Sequence, residues 1–261
     1  MGALSRELRW DACLNVRDLG GLPADGGAVT RFGSVVRSDS VDQLSPAGWA
    51  SAAAYGVRTV VDLRIVDERN RFPPLTKAPE SRGQSSDYDI HTVRVSVLGD
   101  PDPGLGRHLD AIGARHALEV EATRAVYAEM LDRFHIRFAE AVRMVADAGP
   151  GCVIVHCHAG KDRTGLVVAL LLAVAGVTRA AIAADYAVSA ENLAALSQEW
   201  IDEADDEAQR EQRRRICASP AQALLDVLAA LDAGHGGAVG YLVAGGLTET
   251  ELERIRERLI G

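Results

Sequence analysis

Apolar and polar positions along the chain follow two periods in turn, which predicts strands alternating with helices. Short Val-rich or alternating runs at residues 29–37, 58–63 and 91–98 predict strands, and Cys152–His156 predicts a further, buried strand. Strands that alternate with helical segments imply an α/β fold in which a mostly parallel central sheet is flanked by helices.

Helical periodicity is clear elsewhere in the chain. Ser45-Pro46 predicts a helix start, with serine as the cap and proline at the first helical position, and Gly56 predicts its end. Residues 119–148 predict two helices with a break near Phe134-His135. The C-terminal region is predicted to be helical over residues 178–186, 190–217, 219–232 and 248–259. Without a repeat, a low-complexity tract or a linker, residues 1–261 are expected to form one domain.

One segment places a thiol and a guanidinium at the two ends of a short turn, where a long apolar helix begins. It reads Cys157-His158-Ala159-Gly160-Lys161-Asp162-Arg163-Thr164-Gly165. Unpaired N–H groups and the positive end of the dipole at a helix start bind anions and favour a thiolate. Arg163 offers a bidentate fork to phosphate oxygens. The segment therefore predicts a phosphate cradle in which the sulfur of Cys157 attacks phosphorus.

The other loop positions suggest supporting roles. Gly160 would let the backbone approach the ligand, and Lys161 would be an additional phosphate anchor. The Thr164 hydroxyl could donate to the sulfur, and His156 suits a structural hydrogen bond better than base catalysis. The predicted substrate-binding residues are His158, Ala159, Gly160, Lys161, Thr164 and Asp62. A buried, inert cysteine beside a coincidental arginine would leave this combination of residues unexplained.

Residues 156–165 resemble the signature loop of the protein tyrosine phosphatase superfamily. Lys161-Asp162 inside the loop is similar to the bacterial tyrosine/serine phosphatases of dual or triple specificity, which include mycobacterial and cyanobacterial members. Further matches are residues 15–21, residues 36–39, residues 60–64 followed by Glu68, and residues 240–248. The resemblance spans nearly the whole chain. It implies a cysteine phosphatase-like fold and hydrolysis of phosphotyrosine, with phosphoserine and phosphothreonine as secondary substrates, through a phosphocysteine intermediate.

Cleavage of a phosphate ester also needs an acid for the departing oxygen, and three aspartates are candidates. Asp162 lies inside the cradle, and Asp100 follows a predicted strand where related folds carry an acid-bearing loop. Asp62 ends a strand that points to the same side of the sheet. We rank Asp162 first, then Asp100, then Asp62, so the predicted catalytic residues are Cys157, Arg163, Asp162 and Asp100. The alternatives are turn chemistry at Asp100 and a salt bridge from Asp62 to Arg64 or Arg17.

Two segments have unusual composition. Residues 70–90 are rich in Pro, Ser, Gly and charge, which predicts a mobile surface loop. Residues 199–215 carry an acidic block followed by arginines, typical of a solvated helix. Mycobacterial members of the resembled group carry a helical lid in a comparable region, so a lid at about residues 188–218 is the alternative.

Charge and composition limit the classes of partner. The net charge of −9 argues against nucleic acid, whose binding needs a basic stripe. A phosphorylated protein or a phosphoinositide is the expected partner, and no metal or organic cofactor is needed. The N-terminus has no apolar signal region, and residues 169–177 are too short to span a bilayer, so we expect a cytoplasmic protein. Export without a cleaved signal occurs in the resembled group and stays open.

Three other functions are alternatives to the hydrolysis of phosphotyrosine. A phosphoinositide phosphatase would use Lys161 for a multiply charged head group. A binding module without turnover would have no use for the nucleophile. A sulfurtransferase of the rhodanese type also places a loop cysteine before a helix, but its loop usually lacks the Arg-Thr-Gly end found here.

Overall fold

A five-stranded sheet lies at the centre of the computed structural model, which describes residues 5–66, 68 and 85–261. The strands are β1 (Arg17–Asp18), β2 (Val35–Ser38), β3 (Val57–Asp62), β4 (His91–Arg94) and β5 (Cys152–His156). Their order across the sheet is β1-β2-β5-β3-β4, and within this described sheet only β1 runs antiparallel to its neighbour. The predicted α/β class and mostly parallel sheet are confirmed.

Helices flank the sheet and make up the C-terminal region. They are α1 (Pro46–Ala54), α2 (Leu105–Gly113), α3 (Glu119–Arg133), α4 (His135–Ala146), α5 (Asp162–Val174), α6 (Arg179–Asn192), α7 (Ala194–Asp202), α8 (Glu207–Cys217), α9 (Ala221–His235), α10 (Ala238–Ala244) and α11 (Glu249–Leu259). Within the described residues, no single helix is long and apolar enough to cross a membrane, and only the bent pair of α8 and α9 reaches that length and composition together.

Alternate residues of the central strands face two separate hydrophobic cores. Val153 and Val155 pack with side chains of α4 and α5 on one face of the sheet. Ile154 packs on the other face, in a cluster that includes Trp49 of α1 and Val36 of β2. Because both faces are covered, β5 is a continuous apolar run instead of an alternating one.

Two local predictions are confirmed in detail. Ser45 caps α1, and its hydroxyl accepts a hydrogen bond from the backbone N–H of Gly48 at 3.1 Å. Phe134 separates α3 from α4 with a non-helical φ of −113° and ψ of 25°, so the long periodic segment is two helices.

Other predicted elements are wrong in extent. The strand expected at residues 91–98 ends at Arg94, and the one expected at 29–37 is confined to Val35–Ser38.

The single helix expected at 190–217 is divided among α6, α7 and α8. The start of α8 is fixed by the Asp206 side chain, which accepts a hydrogen bond from the backbone N–H of Gln209. Helices α2 and α10 were not predicted, since the glycines of both segments weaken the helical signal. The loop expected at 70–90 lies outside the described residues as far as 84, and Ser85–Tyr88 forms a short 3-10 helix.

The register of the parallel strands brings their carboxyl ends to one edge of the sheet. His156 of β5 is paired with Ser38 of β2 and with Asp62 of β3. The residues that follow these three positions therefore share one edge, which is where ligands bind in parallel sheets. Cys157 is one of those residues.

The central position of β5 gives a test of the packing. Replacing Ile154, which is fully buried, with alanine should lower the free energy of unfolding by about 2–5 kcal/mol, because the site cannot collapse between two covered faces. Val29→Ala is the control, since Val29 is 57% exposed, and it should change the free energy by less than about 0.5 kcal/mol. Urea unfolding measures both. Equal effects would contradict the assignment of Ile154 to a tight core.

Candidate active site

Cys157 lies directly after β5, where the chain turns into α5. The loop of residues 157–161 makes this connection, and Lys161 is the N-cap residue of α5. Cys157 is only 3% exposed. Its thiol is therefore held at the carboxyl edge of the sheet and near the positive end of a helix.

The carbonyl groups of residues 158–161 all accept hydrogen bonds from outside the loop. The donors are Ser40 N to His158 O at 2.8 Å, Asn15 Nδ2 to Ala159 O at 3.0 Å, and Arg37 Nη2 to Gly160 O at 2.8 Å and to Lys161 O at 3.3 Å. A planar trans peptide points its N–H opposite to its C=O, so these bonds turn the amides inward. Within the described part of the chain, the N–H groups of residues 159–163 donate to no protein acceptor. Such a row of inward amides binds anions.

Gly160 is required by the packing of this loop against β2. Its φ is +66°, a conformation that favours glycine. A Cβ at this position would lie 2.4 Å from the carbonyl oxygen of Ser38. The space that glycine provides is therefore for the protein backbone, whereas the sequence had suggested close approach to a ligand.

A buried ionic cluster supports the loop from below. Asp185 of α6 accepts from Arg37 Nη1 at 2.7 Å and from Arg17 Nε at 3.1 Å, and it also pairs with Arg6. Arg37 is fully buried and also binds the carbonyls of Gly160 and Lys161. Burial alone would raise the pKa of Asp185, but the three guanidinium groups outweigh it and hold this pKa well below its usual range.

Arg163 presents a planar fork at the end of the loop, and a carboxylate occupies it. Arg163 Nη1 and Nη2 donate to Glu68 Oε2 and Oε1 at 2.5 and 2.6 Å. Both side chains are largely buried, with relative exposures of 13% and 8%. Burial would raise the pKa of Glu68, but the hydrogen bonds from Arg163 lower it below its usual value. The fork thus already holds an anion in the bidentate geometry that phosphate oxygens also use.

Asp162 is held at the first turn of α5 by two donors. Tyr127 Oη donates to Asp162 Oδ1 at 2.5 Å, and Lys161 Nζ lies 2.8 Å from the same oxygen. Tyr127 Oη is also 2.7 Å from Tyr186 Oη. The Asp162 side chain remains 40% exposed. Both contacts use Oδ1, so they orient the carboxyl group without using Oδ2.

Lys161 has a different environment from the one expected of a phosphate anchor. Its Nζ donates to the carbonyl oxygens of Ile216 and Ala218 at 2.8 and 2.9 Å, at the end of α8, in addition to its contact with Asp162. Burial would lower the pKa of Lys161, but the Asp162 carboxylate raises it above its usual value. An ammonium group has three N–H donors, and these three acceptors engage all of them.

The other two candidate acids lie in contrasting places. Arg64 binds Asp62 with two hydrogen bonds, Nε to Oδ1 at 2.8 Å and Nη2 to Oδ2 at 2.7 Å. Burial would raise the pKa of Asp62, but its positive surroundings, Arg64 among them, hold it well below the usual range. Asp100 is exposed in the turn after β4. The structure therefore gives Asp62 the salt bridge with Arg64 that the sequence had offered as its alternative role.

Three more residues of the sequence motif lie in or beside the loop. His156 Nδ1 is 2.9 Å from the carbonyl oxygen of Cys157, and burial lowers the pKa of its imidazole. Thr164 is fully buried, and its hydroxyl has no hydrogen-bond partner among the described residues, so the bond to sulfur that the sequence suggested is not formed here. His158 is half-buried, and burial lowers the pKa of its imidazole as well.

A cavity of about 980 Å³ adjoins the end of the loop and the first turn of α5. Lys161, Asp162 and Arg163 are among its lining residues, with Glu68 and Tyr127, whereas residues 157–160 are not. Asp102 is among the lining residues and Asp100 is not. In the described ranges, no group of three His, Cys, Asp or Glu side chains could hold a metal ion.

Sequence reasoning missed several residues that shape this site. Glu68, Asn15 and Arg37 were noted only as parts of matching segments, and their contacts with the loop were not foreseen. Tyr127 and Asp185 were not singled out at all. Their one signal in the sequence is that each is a polar residue on a helix among apolar neighbours, which does not reveal a partner far away in the chain.

Removal of the central carboxylate should test the ionic cluster. Asp185→Asn leaves buried arginines without their counter-ion, so the free energy of unfolding should fall by about 3–5 kcal/mol at pH 7. Because the pKa of Asp185 is lowered in the folded state, its contribution is present at neutral pH and is lost as the pH falls below about 4. The free energies of unfolding of the parent and of Asp185→Asn should therefore become more similar as the pH is lowered.

Asp232→Asn is the matched control for that measurement. Asp232 pairs with Arg179 at the surface, where a salt bridge contributes less than about 1 kcal/mol. Urea unfolding between pH 3 and pH 7 measures both variants. A difference for Asp185→Asn that stays constant over this pH range would contradict the role given to its charge.

Comparisons with known proteins agree with the geometry of the loop. A model of the tyrosine phosphatase family matches residues 8–261. A tyrosine-protein phosphatase of Nostoc commune is 31% identical over 233 residues, which cover 86% of this chain and 73% of that protein. The triple specificity protein phosphatase PtpB of Mycobacterium tuberculosis is 28% identical over 279 aligned residues, which cover 95% of this chain and 96% of that protein. The chain therefore belongs to the tyrosine phosphatase family.

Proposed function

We propose that this protein-tyrosine phosphatase works through a phosphocysteine intermediate formed on Cys157. The observation that carries the proposal is a buried thiol in a loop whose amides point inward and whose end bears the Arg163 guanidinium. Donors arranged in advance around a developing charge are usually the largest contribution to catalysis. Residues 1–261 are proposed to act as one phosphatase domain.

The first step transfers the phosphoryl group to sulfur. The Cys157 thiolate attacks phosphorus, an S–P bond forms, and the bond from phosphorus to the tyrosine oxygen breaks. The inward amides of residues 159–162 and the guanidinium of Arg163 hold the other three oxygens of the phosphoryl group. Asp162, in its protonated form, gives its proton to the departing oxygen, so that tyrosine leaves as a neutral phenol.

The second step returns the enzyme to its starting state. A water molecule attacks phosphorus, the S–P bond breaks, and Cys157 leaves as the thiolate. Asp162, now a carboxylate, accepts the proton of the water. The products are inorganic phosphate and an enzyme in which the acid is again protonated. The chemistry of both steps is balanced with protein groups and water alone.

Asp162 is the acid that the contacts favour. It lines the cavity beside Arg163, and its two donors hold Oδ1, which leaves Oδ2 for the leaving group. Asp62 is buried, Arg64 binds both of its carboxylate oxygens, and it is not among the residues that line the cavity. Asp100 stays a second candidate because the turn that carries it adjoins the cavity through Pro101 and Asp102.

Glu68 is proposed to prepare the fork of Arg163. Its carboxylate holds the guanidinium plane at the edge of the loop, where the flexible side chain would otherwise sample many rotamers. An incoming phosphate dianion then shares or replaces this partner. We assign Glu68 a positioning role and not a chemical one.

Substrates beyond phosphotyrosine also belong to the proposal. Phosphoserine and phosphothreonine are proposed as secondary substrates, in line with the triple specificity for which the mycobacterial relative is named. A phosphoinositide phosphatase is the alternative substrate class. A phosphate-binding module without turnover gives no role to the nucleophile, and membership of the tyrosine phosphatase family disfavours it. Movement of residues 188–218 as a lid stays a prediction, as does a cytoplasmic location.

Replacement of the nucleophile separates an enzyme from a binding module. Cys157→Ser should lower kcat for a phosphotyrosine peptide by at least about 1,000-fold, because serine at this position is a far weaker nucleophile than a thiolate. Binding of the same peptide, measured by calorimetry, should change by only a few fold. The parent protein and Cys157→Ser should both be assayed in the presence of a metal chelator. Full activity of the variant, or a need for added metal in the parent, would contradict the mechanism.

The identity of the acid can be read from the leaving group. Asp162→Asn should lower kcat/KM by about 100-fold or more for phenyl phosphate, whose leaving group needs a proton, and much less for p-nitrophenyl phosphate. Asp100→Asn is the matched control, and it should change kcat/KM by the same factor for both substrates. If Asp100→Asn shows the dependence on the leaving group and Asp162→Asn does not, the acid is Asp100.

A further inference from the structure

The cavity beyond the loop is larger than phosphotyrosine requires. Its volume is about 980 Å³, at the upper end of the range for whole ligand pockets. Arg163 and Asp162 are among its lining residues, and the remainder of the cavity is lined mainly by α2, α3 and α8. A substrate bound through its phosphate would therefore place further groups in this remainder, here called the side groove.

The wall of the side groove is largely apolar. It is formed by Leu98, Leu105, Leu109, Val126, Met130 and Ile216. Leu105 and Met130 are buried, whereas Ile216 is 44% exposed. An exposed isoleucine next to a concave apolar wall loses contact with water when an apolar group enters, which favours binding.

The charges around the side groove are unsuited to a second phosphate. Asp110 lines the cavity and would repel one, whereas the lining residues Asp102 and Glu211 are paired with Arg133 and Arg215. Of the lining cations among the described residues, Arg163 serves the phosphate of the loop, and Arg215 donates to Glu211 Oε1 at 3.2 Å and to the carbonyl oxygen of His116 at 3.1 Å.

Lys161 is the remaining cation of the lining, and it is the residue that a phosphoinositide phosphatase would use for a second phosphate. Its three donors are engaged by the carbonyl oxygens of Ile216 and Ala218 and by Asp162. Releasing it would break these bonds and leave two carbonyls at the end of α8 without a donor. The ammonium group is therefore part of the protein structure here and not a receptor for a ligand.

We propose that the side groove binds a bulky apolar side chain close to the phosphotyrosine of a peptide substrate, and that it disfavours substrates with a second phosphate. The inference rests on the proposed function, since the phosphotyrosine is what places the neighbouring residue at the groove. It names the substrate class as singly phosphorylated peptides with an apolar neighbour.

The test compares peptides that differ in one residue. In a phosphotyrosine peptide scanned from three positions before to three after the tyrosine, Leu in place of Ser should raise kcat/KM by about 10-fold or more at one position. Ala111→Trp, which fills the groove from α2, should abolish this preference. Arg107→Trp, one turn away on the same helix and outside the cavity lining, should leave it intact.

A small substrate serves as the control for folding and basal activity, and a multiply phosphorylated lipid serves as the competing substrate class. Both tryptophan variants should hydrolyse p-nitrophenyl phosphate at the parent rate, which also shows that they fold, and Ala114→Trp serves if Ala111→Trp does not. Equal rates for the Leu and Ser peptides, or faster turnover of a phosphatidylinositol bisphosphate in vesicles than of the Leu peptide, would overturn the inference. If the parent protein does not hydrolyse p-nitrophenyl phosphate at all, the proposed function itself is wrong.

Discussion

The active-site loop depends on hydrogen bonds that hold its carbonyl groups outward. A short loop of peptides could as easily turn its carbonyl oxygens inward, where they would repel an anion. Asn15, Ser40 and Arg37 prevent this by donating to the carbonyls of residues 158–161. The anion site is thus made by groups that never touch the anion, and its free energy is supplied by the folded structure before any substrate arrives.

Arg37 can serve this purpose only because its charge is balanced. A fully buried guanidinium is costly unless it is paired, and Asp185 pairs with it from α6. Arg17 shares the same carboxylate, so β1, β2 and α6 meet at one ionic cluster beneath the loop. This arrangement links the shape of the loop to the docking of a helix that follows it in the chain. It also explains how a chain with a net charge of −9 can build a strong anion site, since the local charges are what the ligand meets.

Lys161 and Asp162 show how one short motif can join two tasks. Lys161 reaches the end of α8, and Asp162 faces the cavity, yet the two side chains share a contact at 2.8 Å. The wall formed by α8 is therefore attached directly to the residue beside the candidate acid. A movement of α8 would withdraw acceptors from Lys161 and change the electrostatic environment of Asp162.

Local sequence patterns determined the order of strands and helices, the parallel sheet and the position of Cys157 at the start of a helix, because periodicity, caps and the loop motif act over neighbouring residues. They did not reveal α2, whose glycines weaken the helical signal, or the breaks between α6, α7 and α8. They also suggested the wrong partner for Gly160, which makes room for the Ser38 backbone. Only the tertiary structure decided that Lys161 binds α8 and that Glu68 occupies the fork of Arg163. These contacts join residues 55 to 95 positions apart, and their existence depends on how whole elements pack, which no local pattern encodes.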